Sequence, residues 1–258
     1  MASYEIEGKR VLEGEIICKG SKNSCLPILS ACLICPVVYL QNVPELTDIA
    51  SALDILRFLG CRCERDKDRL KIENSGFSNR TLYSEMTSKM RSSVLFAGAL
   101  LGMTGYCRVA LPGGCNLGKR PVDMHIDAFS RLGYTSSFKD GFIEACKETG
   151  KDENVVITLP FPSVGATENI MLASVLRKGE VRVINSAQEP EILDLADFLN
   201  KAGARISVVK GTILIKGVKK LREVSHKIIP DRIEAVTYGL RCSNKREYTY
   251  KELLSFPF

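Results

Sequence analysis

The chain has 258 residues, of which 45% are hydrophobic and 26% are charged, and its formal net charge is +6. No apolar run is long enough to cross a bilayer, and the N-terminus lacks the apolar core of a signal peptide, so we expect a cytoplasmic protein without a membrane anchor. The positive charges are scattered, which argues against nucleic-acid binding, and ten cysteines without a secretion signal favour free thiols over a disulfide framework.

An internal repeat divides the chain into three similar units. Each unit has an almost wholly apolar helix, and we predict these helices over Ser24–Leu33, Arg91–Leu101 and Ala166–Leu176. A breaker and a short strand follow, with the strands predicted over Val37–Leu40, Cys107–Ala110 and Val181–Ile184. Because proline is best tolerated in a first turn, Pro27 indicates that the first helix begins near Asn23 or Ser24.

An amphipathic helix comes next in each unit and ends at a glycine that suits a position of positive φ, namely Gly60, Gly133 and Gly203. Strand-like segments then close the units, for example Leu70–Ile72, Val155–Leu159 and Thr212–Ile215. The unit is therefore β-α-β-α-β-β-like. Since a helix that is apolar all round must be buried, we predict an α/β domain with the three apolar helices together inside.

One loop is longer in the second unit than in the others. The loop between the strand that follows the apolar helix and the next proline spans residues 41–43 in the first unit and 185–189 in the third. In the second unit it spans Leu111–Arg120. This long loop holds Cys115 after two glycines, near Lys119 and Arg120, and neighbouring cations favour a reactive thiolate. The residues alone leave open the alternative of an inert loop cysteine.

Polar residues stand at the starts of the three apolar helices. Lys22 precedes the first, Arg91 opens the second, and Ser163–Gly165 precede the third. The repeat should bring these starts to one end of the domain, where cations and free backbone N–H groups could bind an anion. Each feature alone could be a solvated charge or an ordinary cap. With only two histidines in the chain, neither a histidine metal cluster nor a Ser-His-Asp site is predicted.

Several motifs resemble the UDP-N-acetylglucosamine 1-carboxyvinyltransferases, enolpyruvyl transferases related to EPSP synthase. They are Gly-Ser-Lys22-Asn23-Ser-Cys-Leu-Pro, Met90-Arg91-Ser-Ser, Leu-Pro-Gly-Gly-Cys115-Asn-Leu-Gly-Lys-Arg120-Pro-Val-Asp123-Met, Pro162-Ser163-Val-Gly-Ala-Thr-Glu-Asn and Glu189-Pro-Glu-Ile-Leu-Asp. The resemblance implies an inside-out α/β barrel and transfer of the enolpyruvyl group of phosphoenolpyruvate to the sugar 3-hydroxyl, with release of phosphate, as the first committed step of peptidoglycan synthesis. It implies no metal and no organic cofactor.

The resemblance also assigns roles to residues. Cys115, as proton donor to the phosphoenolpyruvate methylene, and Lys22 are the implied catalytic residues. The implied substrate-binding residues are Lys22, Asn23, Arg91, Arg120, Pro121, Val122, Asp123, Met124, Phe161, Pro162, Ser163, Val164 and Gly165. Phe161 stands where many relatives have a basic residue, so this sequence departs from the family pattern there.

The family fold has six units in two domains, and this sequence shows three. We expect residues 22–229 to form the domain that carries the Cys115 loop, and residues 1–21 and 230–258 to be a remnant of the second domain with raised mobility. The tail from Leu240 lacks the family pattern and resembles a frameshifted or prematurely ended reading frame. Three hypotheses follow. The first is the transferase encoded by an incomplete chain, with turnover lost or very low unless a separate chain supplies the second half. The second is a non-catalytic UDP-sugar-binding module, and the third is transfer to shikimate phosphate, which the Cys115 loop disfavours.

Overall fold

The structure, a computed structural model, describes Glu5 and residues 15–76, 79–113, 122–148 and 154–242. The first unit consists of α1 (Lys22–Ala31), β1 (Val37–Gln41), α2 (Thr47–Leu59), β2 (Cys61–Asp66) and β3 (Arg69–Asn74). The second consists of β4 (Thr81–Leu82), α3 (Ser84–Thr87), α4 (Leu95–Thr104), β5 (Tyr106–Ala110), α5 (Asp123–Arg131), β6 (Tyr134–Lys139) and β7 (Phe142–Lys147). The third consists of β8 (Val155–Thr158), α6 (Val164–Ser174), β9 (Glu180–Ile184), α7 (Pro190–Lys201), β10 (Arg205–Val209) and β11 (Thr212–Lys216). Two further elements follow, β12 (Val224–Lys227) and α8 (Arg232–Cys242).

Each unit contains one four-stranded sheet, and the strand orders are β12-β1-β3-β2, β4-β5-β7-β6 and β8-β9-β11-β10. In each sheet a leading strand lies parallel to the strand after the apolar helix, and an antiparallel hairpin completes the sheet. The second and third units place the leading strand before the helix. The first unit instead takes its leading strand, β12, from beyond the third unit, with Val38 paired to Val224.

The pairing corrects the prediction for Val155–Leu159. This segment does not close the second unit: β8 pairs in parallel with β9 and so leads the third unit. The closing strand of the second unit is β7, which pairs antiparallel to β5 and is equivalent to β3 and β11. Short apolar segments indicate a strand but do not identify its partner, because pairing depends on contacts distant in sequence.

The three apolar helices α1, α4 and α6 lie together at the centre, as predicted. Every residue from Leu95 to Leu101 in α4 is buried, and so is every residue from Ala166 to Ser174 in α6. Two glycines allow α4 to approach α6 closely. A Cβ atom on Gly98 would lie 2.6 Å from the Asn169 carbonyl oxygen, and one on Gly102 would lie 2.5 Å from that of Leu172. The result is the inside-out arrangement, with helices inside and sheets around them.

The structure confirms the predicted ends of the amphipathic helices but not the predicted position of Pro27 in α1. Gly60, Gly133 and Gly203 have φ angles of 111°, 88° and 102°, which confirms the predicted positive φ. However, α1 begins at Lys22, because Ser21 caps it by accepting a hydrogen bond from the Ser24 backbone N–H at 3.3 Å. Pro27 therefore lies beyond the first turn, contrary to the prediction.

The segments that flank the domain meet beside α1. Gly20 forms a single bridge with Pro230, the Ser21 N–H donates to the Ile229 carbonyl at 2.7 Å, and the Asp231 N–H donates to that of Lys19 at 2.8 Å. Residues 15–19 form no strand. Ile233, Val236 and Tyr238 on α8 are exposed. The raised mobility expected for residues 1–21 and 230–258 stays a prediction. Among the described helices, none has both the length and the apolar character to cross a membrane.

Candidate active site

The starts of the three apolar helices converge on one open cavity of about 240 Å³. Its lining comes from α1, from the turn before α4, from α6, from the start of α7 and from α8. The lining residues are Asn23, Leu26, Pro27, Ser92, Leu95, Val164, Glu168, Glu189, Glu191 and Arg232. The geometry thus places backbone N–H groups at helix starts, which are partial positive charges, around one space.

Lys22 is the first residue of α1 and is held by two carboxylates. Its Nζ lies 3.1 Å from Oδ2 of Asp48 on α2, and its backbone N–H donates to Oδ2 of Asp231 at 3.4 Å. The side chain of Lys22 is 41% exposed, so the pair with Asp48 is a solvated one and contributes at most about 1 kcal/mol. An incoming anion can therefore draw the ammonium group away at small cost.

The start of α6 is capped by a serine, and the residues just before it are exposed. Ser163 accepts a hydrogen bond from the Ala166 N–H at 3.4 Å, which is an N-cap contact, and Val164 reaches the cavity. Phe161 and Pro162 precede this turn and are exposed, and Gly165 is half-buried. This helix start contains no acidic residue in its first turn, so its N–H groups are not neutralised there by a carboxylate.

The other predicted site residues lie around the second unit. Arg91 opens a short 3-10 helix, Arg91–Val94, that leads into α4, and it is half-buried. Val122 is buried before α5, Asp123 is exposed in its first turn, and Met124 packs partly against the core. Cys115, Arg120 and Pro121 lie outside the described residues.

A group of three glutamates at the cavity, which we term the carboxyl cluster (Glu168, Glu189 and Glu191), was not anticipated from the sequence. Glu168 on α6 is 4% exposed, and burial, together with the charges of Glu191 and Glu189, raises its pKa well above the usual range. Arg232 meets Glu191 through two hydrogen bonds, Nε to Oε1 at 3.0 Å and Nη2 to Oε2 at 3.2 Å. Glu168 is a charged residue type inside an otherwise apolar helix, and that signal could have identified it.

His125, which lies beside the start of α6, was also not selected from the sequence. It lies on α5 with 6% of its surface exposed, and a Cβ atom on Gly165 would meet its Cε1 at 3.4 Å. Burial and, to a lesser extent, the charge of Arg91 lower the pKa of His125 to about 4, and the charge of Asp123 opposes the shift. The imidazole is therefore neutral at pH 7, beside the start of α6.

The other histidine belongs to a buried polar network below α1. His226 Nε2 lies 2.9 Å from Oδ1 of Asp194, and Ser24 Oγ donates a short hydrogen bond to Oδ2 of the same carboxylate. The serine thus contacts the aspartate and not the histidine, so the three do not form a nucleophilic triad. Asp197 is close enough for a three-ligand group with Asp194 and His226, but Lys201 Nζ lies 3.4 Å from Nδ1 of His226 and 2.6 Å from Oδ2 of Asp197. An ammonium group already balances these carboxylates.

Comparison with known proteins identifies relatives over most of the chain. The model of the EPSP synthase (3-phosphoshikimate 1-carboxyvinyltransferase) family matches residues 6–243. The UDP-N-acetylglucosamine 1-carboxyvinyltransferase of Thermotoga maritima is 46% identical over 242 residues, and that of Finegoldia magna is 43% identical over 259 residues. These alignments cover 92% and 99% of this chain but only 57% and 61% of the relatives. The chain therefore spans less than two thirds of their length.

Solved structures show the same fold. The enolpyruvyl transferase NikO from Streptomyces tendae is similar with a TM-score of 0.78 at 21% identity, covering 90% of this chain and 55% of that one. EPSP synthase from Acinetobacter baumannii is similar with a TM-score of 0.69 at 17% identity, covering 90% and 53%. At these identities, the solved structures show only that the fold is shared. Membership of the family is shown by the family model and by the more similar relatives. The chain belongs to the EPSP synthase family of enolpyruvyl transferases.

Proposed function

We propose that this chain carries the phosphoenolpyruvate- and UDP-sugar-binding half of an enzyme that transfers the enolpyruvyl group to the 3-hydroxyl of UDP-N-acetylglucosamine and releases phosphate. The observation that carries this proposal is the 46% identity, over 92% of the chain, to a relative named for that activity. The reaction would be the first committed step of peptidoglycan synthesis and would take place in the cytoplasm.

The reaction needs a proton donor and an anion site. The sugar oxygen bonds to C2 of phosphoenolpyruvate while C3 gains a proton, which gives a tetrahedral ketal; the C2–O bond to phosphate then breaks as C3 loses a proton. We assign Cys115 as the donor to C3, because a thiol can act as a general acid. The sugar hydroxyl gives its proton to a base in the second half of the family fold.

The convergent helix starts and their cations support the anion site. Lys22 and Arg91 stand at two of these starts, and a phosphate or carboxylate there would meet both side-chain cations and backbone N–H groups. Burial raises the pKa of Glu168 and favours its protonated form, so the carboxyl cluster repels an anionic substrate less than three carboxylates would. Arg232 neutralises Glu191.

The remaining assignments follow the resemblance and are part of the proposal. Asn23 would contact the sugar, Arg120 the anionic groups, Pro121–Met124 the uridine, and Phe161–Gly165 the diphosphate or uridine. Residues 22–229 would form the domain described above, and residues 1–21 and 230–258 would belong to a second domain. A separate chain could supply the rest of that domain, which would close over the substrates and exclude water.

A non-catalytic UDP-sugar-binding module is the second candidate. Such a module would bind UDP-N-acetylglucosamine at the same helix starts without releasing phosphate.

Phosphate release and binding distinguish the two candidates. We would measure phosphate released from phosphoenolpyruvate in the presence of UDP-N-acetylglucosamine, and binding of the UDP-sugar by calorimetry, for wild type, Cys115→Ala and Cys146→Ala. Cys146 is an exposed free cysteine and serves as the matched control. Release that Cys115→Ala abolishes and Cys146→Ala preserves supports the transferase. Binding without release supports the module only if release also stays absent after a chain that carries the missing second half is added, and absence of both binding and release contradicts each proposal.

A further inference from the structure

The side-chain amide of Asn169 joins α6 to α4 and α5 inside the core. Its Oδ1 accepts a hydrogen bond from the Gly98 backbone N–H at 2.9 Å, and its Nδ2 donates to the Val94 carbonyl at 3.1 Å. Nδ2 also lies 2.8 Å from Nδ1 of His125. The amide cannot be turned around, because its NH2 group would then face the Gly98 N–H and its oxygen would face the Val94 carbonyl.

This orientation fixes the tautomer of His125. Asn169 Nδ2 can only donate, so Nδ1 of the imidazole must accept. The ring is neutral at pH 7 because burial lowers the pKa of His125 to about 4. A neutral ring that accepts at Nδ1 carries its proton on Nε2.

The Nε2–H group faces the start of α6. A Cβ atom on Gly165 would lie 3.7 Å from Nε2 of His125, so this edge of the ring lies against the first turn of that helix. His125 is only 6% exposed. Within the described part of the chain, its hydrogen bond is made through Nδ1, and Nε2 has no acceptor. This N–H is therefore available to a ligand that offers an acceptor at the start of α6.

We propose that His125 is an uncharged hydrogen-bond donor to a phosphate oxygen of the bound sugar nucleotide at the start of α6, and that Asn169 is the positioning residue that fixes its tautomer. This inference rests on the proposed function. The donor adds to the N–H groups at the helix start without adding a positive charge, so it orients the phosphate rather than strengthening a general attraction for anions.

The two histidines make a direct test possible by nitrogen-15 NMR of the full chain. At pH 7 the long-range histidine spectrum of the wild type should show His125 with its proton on Nε2. Addition of UDP-N-acetylglucosamine should shift the Nε2 and Cε1–H signals of His125, whereas His226, which bonds to Asp194 in the network below α1, serves as the internal control. Asn169→Ala should give a mixture of tautomers and weaken UDP-sugar binding by about tenfold, the equivalent of one hydrogen bond.

Variants of His125 test the donor without removing Asn169. Glutamine can place an N–H near the position of Nε2, whereas alanine cannot, so His125→Gln should bind the UDP-sugar more tightly than His125→Ala does. Thermal unfolding of each variant checks that it is folded before binding is compared. If the wild type binds the UDP-sugar but His125 does not shift and His125→Ala binds equally well, the inference fails and the proposed function stands. If the wild type does not bind the UDP-sugar, both fail.

Discussion

Arg232 at the start of α8 and Glu191 in the first turn of α7 form a two-point ion pair, with Nε 3.0 Å from Oε1 and Nη2 3.2 Å from Oε2. The side chain of Glu191 is 3% exposed and that of Arg232 is 45% exposed. The carboxylate thus loses most of its hydration on folding and receives a guanidinium in return. The pair also fastens α8 to the third unit beside the cavity.

Removal of Arg232 should destabilise the domain. Arg232→Ala leaves a buried carboxylate next to two other glutamates, and we expect the free energy of unfolding to fall by about 2 kcal/mol, less than for a fully buried pair because Arg232 is partly solvated. Urea denaturation at pH 7 measures this fall in the free energy of unfolding. Arg131→Ala is the control, because the pair of Arg131 with Asp127 is exposed on both sides and should contribute under about 0.5 kcal/mol. Equal effects of the two substitutions would contradict the prediction.

Alanine at the glycines of α4 should separate the inner helices. A methyl group on Gly98 or Gly102 would overlap the backbone of α6, and neither helix can shift without disturbing the core, so we expect a loss of about 2–3 kcal/mol for each substitution. Gly165→Ala is the matched control, since its methyl group would make an ordinary 3.4 Å contact with His125. Thermal unfolding that shows Gly98→Ala to be as stable as Gly165→Ala would mean that the helices do not pack this closely.

Glu168 should make the stability fall as pH rises. The unfolded chain releases this proton near the ordinary pKa of 4.5, whereas the folded domain retains it to a higher pH, so above 4.5 the folded state binds more protons. The stability of the wild type should then decrease with rising pH relative to Glu168→Gln, which mimics the protonated form. Urea denaturation between pH 5 and 8 tests this, with Glu45→Gln as an exposed control. Parallel curves for wild type and Glu168→Gln would refute it.

His125 should contribute the opposite dependence at lower pH. Its pKa falls from an ordinary 6.5 to about 4 on folding, so between these values the unfolded chain binds the extra proton and stability is lost as pH falls. The loss across this window should approach about 3 kcal/mol. Denaturation of wild type and His125→Gln at pH 7 and pH 4 isolates this contribution, because other acid-titrating groups act in both proteins. A stability difference between the two proteins that stays constant with pH would show that His125 titrates normally.

The sequence predicted the elements that depend on local signals. The apolar helices, the strands after them and the glycines at 60, 133 and 203 are each specified by a few adjacent residues, and the repeat fixed their order. The convergence of the three apolar-helix starts on one cavity, through Asn23, Ser92 and Val164, also followed from the repeat, because equivalent positions in three similar units must lie at equivalent places in the domain.

Features that depend on distant contacts were not predictable in this way. The segment Val155–Leu159 has the alternation of a strand, but its parallel partner β9 is determined by the crossover through α6. Glu168 was visible in the sequence as a glutamate in an apolar helix. Its neighbours in space were not, because Glu189 immediately precedes α7 and Glu191 lies in the first turn of α7. Asn169 and His125 lie on different helices, and their hydrogen bond has no trace in the spacing of the residues.

The pairing of β1 with β12 has a consequence for how the domain is made. During synthesis, α1, β1, α2 and the hairpin of the first unit leave the ribosome early, but the edge of β1 that receives Val224–Lys227 stays open until the third unit has been translated. An open strand edge can pair with another chain. A nascent chain stalled before Val224 would therefore leave this edge of β1 unpaired, and another chain could pair with it.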